Sequence, residues 1–273
     1  MSKVIKGLQD LTYLKWDKIR RSSGTAGSFL KAQEIKAGVK YYYKLSNYNS
    51  IEGIVGHESI NELVVSRLLE YLEIRHLDYD LIHALVMVDD NEYETYFAAS
   101  KDFKKKGDSK NTFETYYELE RKLDETPLEF CIRQGWREEI STMLVVDFLI
   151  QNRDRHGANI EVLKSRMDKK MRMAPLFDHG LSFAFDCHND NELSQFNVFE
   201  DRPIQSFVGG RSSYENLRLI EDKDCIKLPE FDAKLKRILF EDLEGVVSKL
   251  WKDTIWDMLM ERRKLYEDFC NSR

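Results

Sequence analysis

Four polar residues stand at spacings that a purely structural role would not require: Asp154-x-His156-x-x-Asn159 and, further on, Asp178 of Asp178-His179-Gly180. Together they offer two carboxylates, an imidazole and an amide oxygen within one turn-rich stretch. Carboxylate and amide oxygens are hard ligands, suited to Mg²⁺ and phosphate rather than to zinc. A carboxylate held near such a site is also equipped to take a proton from a hydroxyl. The cysteines Cys131, Cys187, Cys225 and Cys270 are scattered without a CxxC pair. They give no support to a zinc framework and suit a reducing compartment.

Groups that a nucleotide needs lie upstream, in a consistent order. Gly24 and Gly27, among Ser22, Ser23, Thr25 and Ser28, precede a strand and could bring backbone N–H groups close to phosphates. Lys44 follows on the next strand and Glu62 in the helix after it, as in the Lys–Glu ion pair that orients the α/β-phosphates in kinases. The step of five from Asp154 to Asn159 equals that between the base and the metal-binding Asn of a kinase catalytic loop, and Asp178-His179-Gly180 stands where Asp-Phe-Gly would be. Phosphoryl transfer demands chiefly positioning and charge neutralisation, so a Lys, two metal ligands and one base suffice.

The elements that must hold these residues read as strands with one helix in the first half and mostly helices in the second. Phe29–Ile35 and Val39–Ser46 are two expected strands around a turn at Ala37-Gly38. Ser59-Ile60-Asn61-Glu62 fits a capping box opening a helix whose apolar residues run from Ile60 to Leu72. That box competes with the nucleotide role for Glu62, and Glu58 or Glu70 could replace it as the partner of Lys44. Leu81–Val88 and Tyr93–Ala99 are expected to form a hairpin around Asp89-Asp90-Asn91. Thr126-Pro127 starts one helix and Glu138–Gln151 carries another, running directly into Asn152-Arg153-Asp154. A short hairpin over Ile160–Leu176 precedes Asp178, and Phe231–Phe240, Leu243–Trp251 and Thr254–Phe269 read as three amphipathic helices. The expected fold class is α+β and two-lobed, like a protein kinase. The division falls in the charged loop Lys104–Lys110, giving a β-rich N-terminal lobe over 1–105 and a mainly helical C-terminal lobe over 106–273.

Charge and composition agree with a cleft that binds a small anion. The 273 residues carry 42 Lys/Arg and 48 Asp/Glu, a net charge of −6 that argues against a nucleic-acid coat or a membrane-surface protein. Residues 1–50 hold ten Lys/Arg against three acids, a charge of +7, so the remainder sums to −13. The basic front is the part that carries Lys44 and the glycine loop. No apolar run approaches the roughly 18 residues of a membrane span and no leader-like h-region opens the chain, so a cytoplasmic location is expected.

Asn152-Arg153-Asp154-Arg155-His156-Gly157-Ala158-Asn159 with Phe177-Asp178-His179-Gly180-Leu181-Ser182 resembles the catalytic segment of the HipA-like serine/threonine protein kinases. Ser22–Lys31, Tyr43-Lys44-Leu45-Ser46 and Glu62–Leu69 are similar to that family's phosphate loop, nucleotide lysine and first helix, so the likeness spans roughly residues 20–185. Phosphoinositide kinases share the Asp-Arg-His-x-x-Asn element. The resemblance implies that Asp154 is the base and that His156 contacts the transferring phosphate. It makes Asn159 and Asp178 the metal ligands, and Lys44, paired with Glu62, the residue that binds the phosphates of ATP. The phosphates would also meet Gly24, Gly27 and Ser28, with adenine against the backbone from Ala99 through Lys101 to Asp102. ATP and Mg²⁺ are the implied cofactors. A protein substrate is implied, autophosphorylation at Ser22, Ser23 or Ser28 is expected, and in toxin-type members the partner is a DNA-binding antitoxin. The chain resembles the kinase core alone, without the extra N-terminal domain of longer members. Two other classes use the same residues: a pseudokinase that binds nucleotide without transfer, and a metal-dependent phosphoesterase or nuclease built on Asp154, His156 and Asp178.

Overall fold

A computed structural model describes residues 2–17, 29–167, 169–221 and 226–272. The chain divides into two compact units. The first comprises Met1–Asp102, Ala184–Phe196 and Asp232–Lys252, and the second Phe103–Phe183, Asn197–Phe231 and Asp253–Arg273.

The first unit is built on a five-stranded sheet. Its strands are β1 (Val4–Asp10), β2 (Lys31–Lys36), β3 (Val39–Lys44), β6 (Asp80–Val88) and β7 (Asn91–Lys101), in the order β1-β6-β7-β3-β2. A two-stranded ribbon, β4 (Tyr48–Asn49) with β5 (Gly53–Ile54), precedes helix α1 (Glu58–Tyr71). Both expected hairpins form. Ala37-Gly38 and Asp89-Asp90 are two-residue turns with all four residues at positive φ, from 49° to 79°. Such turns match the strand twist, and Gly or Asp tolerates the conformation best. β1 was not foreseen; it pairs in parallel with β6, Val4 opposite Leu81.

One face of the sheet closes a core of Leu30, Ala32, Tyr43, Leu45, Val86 and Phe97, with Trp16 and Tyr93 packed against it. Helix α1 is buried along nearly its whole length, Glu58 through Leu69, in contact with β6, β7 and a later helix, α7 (Ala233–Phe240).

The capping box expected at Ser59 is not made. Helix α1 begins at Glu58, with His57 at its cap position and no side-chain cap bond. The Ser59 hydroxyl instead donates to the Lys44 carbonyl at 3.0 Å, and the Ser59 N–H donates to Ser46 Oγ at 3.1 Å. A buried backbone carbonyl at the end of β3 needs a donor, and Ser59 satisfies it while fixing the helix to the strand.

The second unit opens with β8 (Ser109–Thr112) and the helices α2 (Phe113–Glu120), α3 (Pro127–Gln134) and α4 (Arg137–Ile150). Thr126 caps α3 as its sequence predicts. Its hydroxyl accepts from Glu129 N–H while the Glu129 carboxylate accepts from Thr126 N–H, and Gly135 closes the helix at φ 80°. Helix α4 is buried from Ile140 to Ile150 except at Thr142, and its buried residues there are apolar apart from Ser141 and Asp147. Phe113, Tyr117, Phe130 and Phe207 meet edge to face with ring centroids 5.4–5.9 Å apart, which secures α2 and α3.

After α4 the chain forms β9 (Asp154–Arg155), β10 (Glu161–Lys164) and β11 (Met171–Met173); β11, β10 and β8 make a three-stranded sheet. Helix α5 (Asp190–Ser194) returns to the first unit, β12 (Gln205–Ser206) and α6 (Ser213–Asn216) belong to the second, and α7 (Ala233–Phe240) again to the first.

The two helices expected over Leu243–Trp251 and Thr254–Phe269 are one, α8 (Lys249–Asn271), and Leu243–Ser248 lies outside it. Gly245 at φ 78° breaks the earlier segment, whereas Lys252-Asp253 contains nothing that stops a helix. From α8 the buried Arg262 donates to the Phe148 carbonyl at the end of α4, its guanidinium 4.3 Å from the Phe148 ring. Burial lowers its pKa to about 10. Among the described residues no helix is long and apolar enough to cross a membrane.

Candidate functional site

The residues singled out by sequence fall into two groups, one in each unit. In the first unit Lys44 ends β3 and its ammonium lies 2.8 Å from Glu62 Oε1 in α1. The lysine is 8% exposed and the glutamate fully buried. A buried charge pair is expensive to desolvate and is a poor way to stabilise a fold, so its presence calls for another use. The Phe29 ring sits 4.6 Å from the ammonium, adding a cation–π contact. Glu58, the rival partner, is engaged elsewhere: its Oε2 accepts from Asn47 N–H at 3.2 Å, and burial raises its pKa.

Ala99 lies in β7 between Tyr43 of β3 and Asp80 of β6. β6 begins opposite Ala99, so Ser100 and the exposed Lys101 pair with β3 on one side and, among the described residues, have no strand partner on the other. A strand edge of this kind offers N–H and C=O groups to a flat heterocycle. Gly24, Gly27, Ser22, Ser23 and Ser28 lie outside the described residues.

In the second unit α4 ends at Gln151, whose φ of 48° turns the chain out of the helix. Asn152 then donates through Nδ2 to Asp147 Oδ1 at 3.0 Å and accepts the Asp154 N–H on Oδ1 at 3.2 Å. Asp154, 9% exposed, sits in β9, which pairs in parallel with β12. Asn159 Nδ2 donates to the Asp154 carbonyl at 2.8 Å and reaches its Oδ2 at 3.3 Å. Both of these contacts use the Asn159 amide nitrogen and not its oxygen.

His156 caps the short 3₁₀ turn Gly157–Asn159, its Nδ1 accepting Ala158 N–H at 3.1 Å. In the neutral ring the proton therefore resides on Nε2, which lies 3.7 Å from Asp154 Oδ2. Gly157 is required by packing, since a Cβ there would come within 2.6 Å of Glu114 Cβ and 2.9 Å of the Phe207 ring.

Asp178 has φ 58°, a conformation that costs a non-glycine residue and is retained where surroundings impose it, often at functional sites. Arg155 supplies those surroundings. Its Nη1 donates to the carbonyls of both Asn159, at 3.0 Å, and Phe177, at 2.9 Å, and so holds the two candidate ligand segments on one guanidinium. Its remaining nitrogens form a bidentate pair with Asp147 at 2.8–2.9 Å. Sequence reasoning gave neither Arg155 nor Asp147 a role. The visible sign was a lone carboxylate in the apolar run Met143–Ile150.

Among the described residues no group of three or more His, Cys, Asp or Glu could hold a metal ion by itself. Asp178 with the amide oxygen of Asn159 fits a different mode, in which Mg²⁺ takes one or two protein oxygens and completes its shell with phosphates and water.

The β-rich N-terminal sheet and the helical C-terminal region make a kinase-like α+β fold. The Helicobacter pylori proinflammatory kinase CtkA has this fold: the two structures align with a TM-score of 0.59 over 97% of this chain and 98% of that one, at 16% identity. A looser likeness, with a TM-score of 0.46 and 13% identity, covers 94% of this chain and 68% of HipA from the Shewanella oneidensis MR-1 toxin–antitoxin system, solved with HipB and operator DNA. No family model matches the sequence, and no curated protein matches it.

Proposed function

We propose that this protein is an ATP- and Mg²⁺-dependent serine/threonine protein kinase of the HipA-like type. The observation that carries the reading is the buried Lys44–Glu62 pair at 2.8 Å. A phosphoesterase or nuclease has no use for it, whereas a kinase needs an ammonium held rigidly for the α/β-phosphates.

Asp154 receives the proton of the acceptor hydroxyl as its oxygen bonds to the γ-phosphorus. The bond from that phosphorus to the β–γ bridging oxygen breaks, and ADP departs with the electron pair. His156, with its proton on Nε2, is equipped to donate to an oxygen of the transferring group. Asn159 and Asp178 would hold the cation, which when bound neutralises charge on the phosphates. The strand edge at Ala99–Lys101 receives the adenine, and Gly24, Gly27 and Ser28 cover the phosphates. Self-modification falls on one serine of that loop, for which Ser22, Ser23 and Ser28 are the candidates. The same family resemblance extends the reading to a cytoplasmic toxin-type kinase with a protein substrate and a DNA-binding antitoxin, which co-purification with the product of a neighbouring gene tests.

Purified protein given Mg²⁺ and γ-labelled ATP should incorporate label, and Asp154→Ala and Asp178→Ala should each abolish incorporation without unfolding the chain. Nucleotide binding without transfer to itself or to any protein in an extract would make it a pseudokinase. Metal-dependent phosphate release from nucleic acid without ATP would make it a hydrolase.

A further inference from the structure

Beside the candidate base lies a cavity of about 480 Å³ that the sequence gave no reason to expect. His156 lines it together with residues 204–207 and 209–211 of one later segment. That segment is hydrogen-bonded to the chain on both sides of Asp154: Gln205 N–H donates to the Arg153 carbonyl and Phe207 N–H to the Arg155 carbonyl, each at 2.9 Å. The cavity wall is therefore fixed relative to the base by main-chain bonds.

Its far side is equally fixed. Gly209 N–H donates to Ser206 Oγ at 3.0 Å, Gly210 N–H to Asn216 Oδ1 at 2.7 Å, and Ile204 N–H to the Arg211 carbonyl at 2.9 Å. A Cβ on Gly209 would meet Asn216 Oδ1 at 2.4 Å, so the loop takes its course only with glycine there. The lining contains no carboxylate, and its one permanent charge is Arg211. Among the described residues the Arg211 side chain is exposed and makes no hydrogen bond or ion pair, its carbonyl alone being used.

Apolar Phe207, a preset glycine loop and a guanidinium without an ion pair among the described residues, in a cavity that His156 also lines, form a recognition surface for a chain segment, not for a nucleotide whose phosphates need several donors. We propose that this cavity receives the acceptor protein segment and that Arg211 selects an Asp or Glu side chain close to the acceptor hydroxyl. The guanidinium fork matches a carboxylate in two parallel hydrogen bonds, and such charge-assisted bonds are the stronger kind. This inference rests on the kinase reading and names its substrate class.

The test uses the full-length protein, Mg²⁺ and ATP with paired libraries of serine peptides, the serine flanked by Asp/Glu in one and by the isosteric Asn/Gln in the other. The wild type should favour the acidic library by about tenfold or more in kcat/KM. Arg211→Lys should keep the direction of that preference, and Arg211→Glu should reverse it toward a third library with Lys/Arg flanks. Because the exposed Arg211 side chain makes no hydrogen bond or ion pair among the described residues, the variants should melt with the wild type. Equal use of acidic and amide libraries by the wild type overturns the inference and leaves the kinase reading intact. Absence of any phosphate transfer, to itself or to peptides, overturns the kinase reading and this inference with it.

Discussion

Replacing Asp147 with leucine removes the partner of an arginine that is itself 1% exposed. Asp147 accepts three contacts from Arg155, at 2.8, 2.9 and 3.2 Å, and one from Asn152 at 3.0 Å. Breaking a buried pair from one side leaves an uncompensated charge, which costs about 3–5 kcal/mol. The orphaned Asn152 amide adds about 1 kcal/mol. Against a typical total stability of about 5–15 kcal/mol, Asp147→Leu should leave the protein marginal.

The double variant Asp147→Leu/Arg155→Met should behave differently. It replaces both charges with apolar groups of similar volume, a change that is often neutral or stabilising. It nevertheless removes the two bonds from Arg155 Nη1 to the carbonyls of Asn159 and Phe177. Stability should therefore recover while phosphate transfer does not. Urea denaturation followed by fluorescence, with ATP-dependent label transfer measured on the same preparations, reads both quantities. A double variant as active as the wild type would refute the positioning role of Arg155. A loss below about 1 kcal/mol for Asp147→Leu would refute the account of the buried pair.

Glu58, whose pKa is raised chiefly by burial, should make the fold pH-sensitive. A carboxyl with a raised folded pKa contributes stability fully present below its unfolded value of 4.5 and lost as pH rises through the folded one. Glu58→Gln should flatten that decline, so its urea midpoint should fall less than the wild type's between about pH 5 and about pH 8; parallel declines would remove Glu58 as the cause. Gly209→Ala should cost about 1–3 kcal/mol by forcing Asn216 from its hydrogen bonds to Gly210, seen as a lower melting temperature. An unchanged melt would mean that the loop is looser than its contacts imply.

The parts of this fold that could be read from sequence are those whose causes are local. The turns at Ala37-Gly38 and Asp89-Asp90 and the cap at Thr126 each depend on a few adjacent residues, and each forms as expected. β1 is not legible in sequence because Lys6, Gln9 and Asp10 obscure its alternation and because its partner Leu81 is far along the chain. At Ser59 and Glu62 a local rule and a tertiary demand sought the same side chains, and the tertiary demand won. A cap bond at a helix start is worth about 1 kcal/mol, whereas a buried ammonium without its carboxylate costs several.

The candidate site divides along the same line. Asp154, His156 and Asn159 lie within six residues, so spacing alone could suggest their chemistry, and the hydrogen bond from Asn159 to Asp154 joins two of them directly. Arg155 stands in the middle of that motif, yet its work is visible only through Asp147 one turn before the end of α4 and through Phe177 beyond a hairpin. The charged residue between the reactive ones faces the interior, and neither its orientation nor its partners follow from residue spacing. A motif of this kind names the groups that could react, while a buried guanidinium that spans three segments decides whether they are held where the reaction needs them.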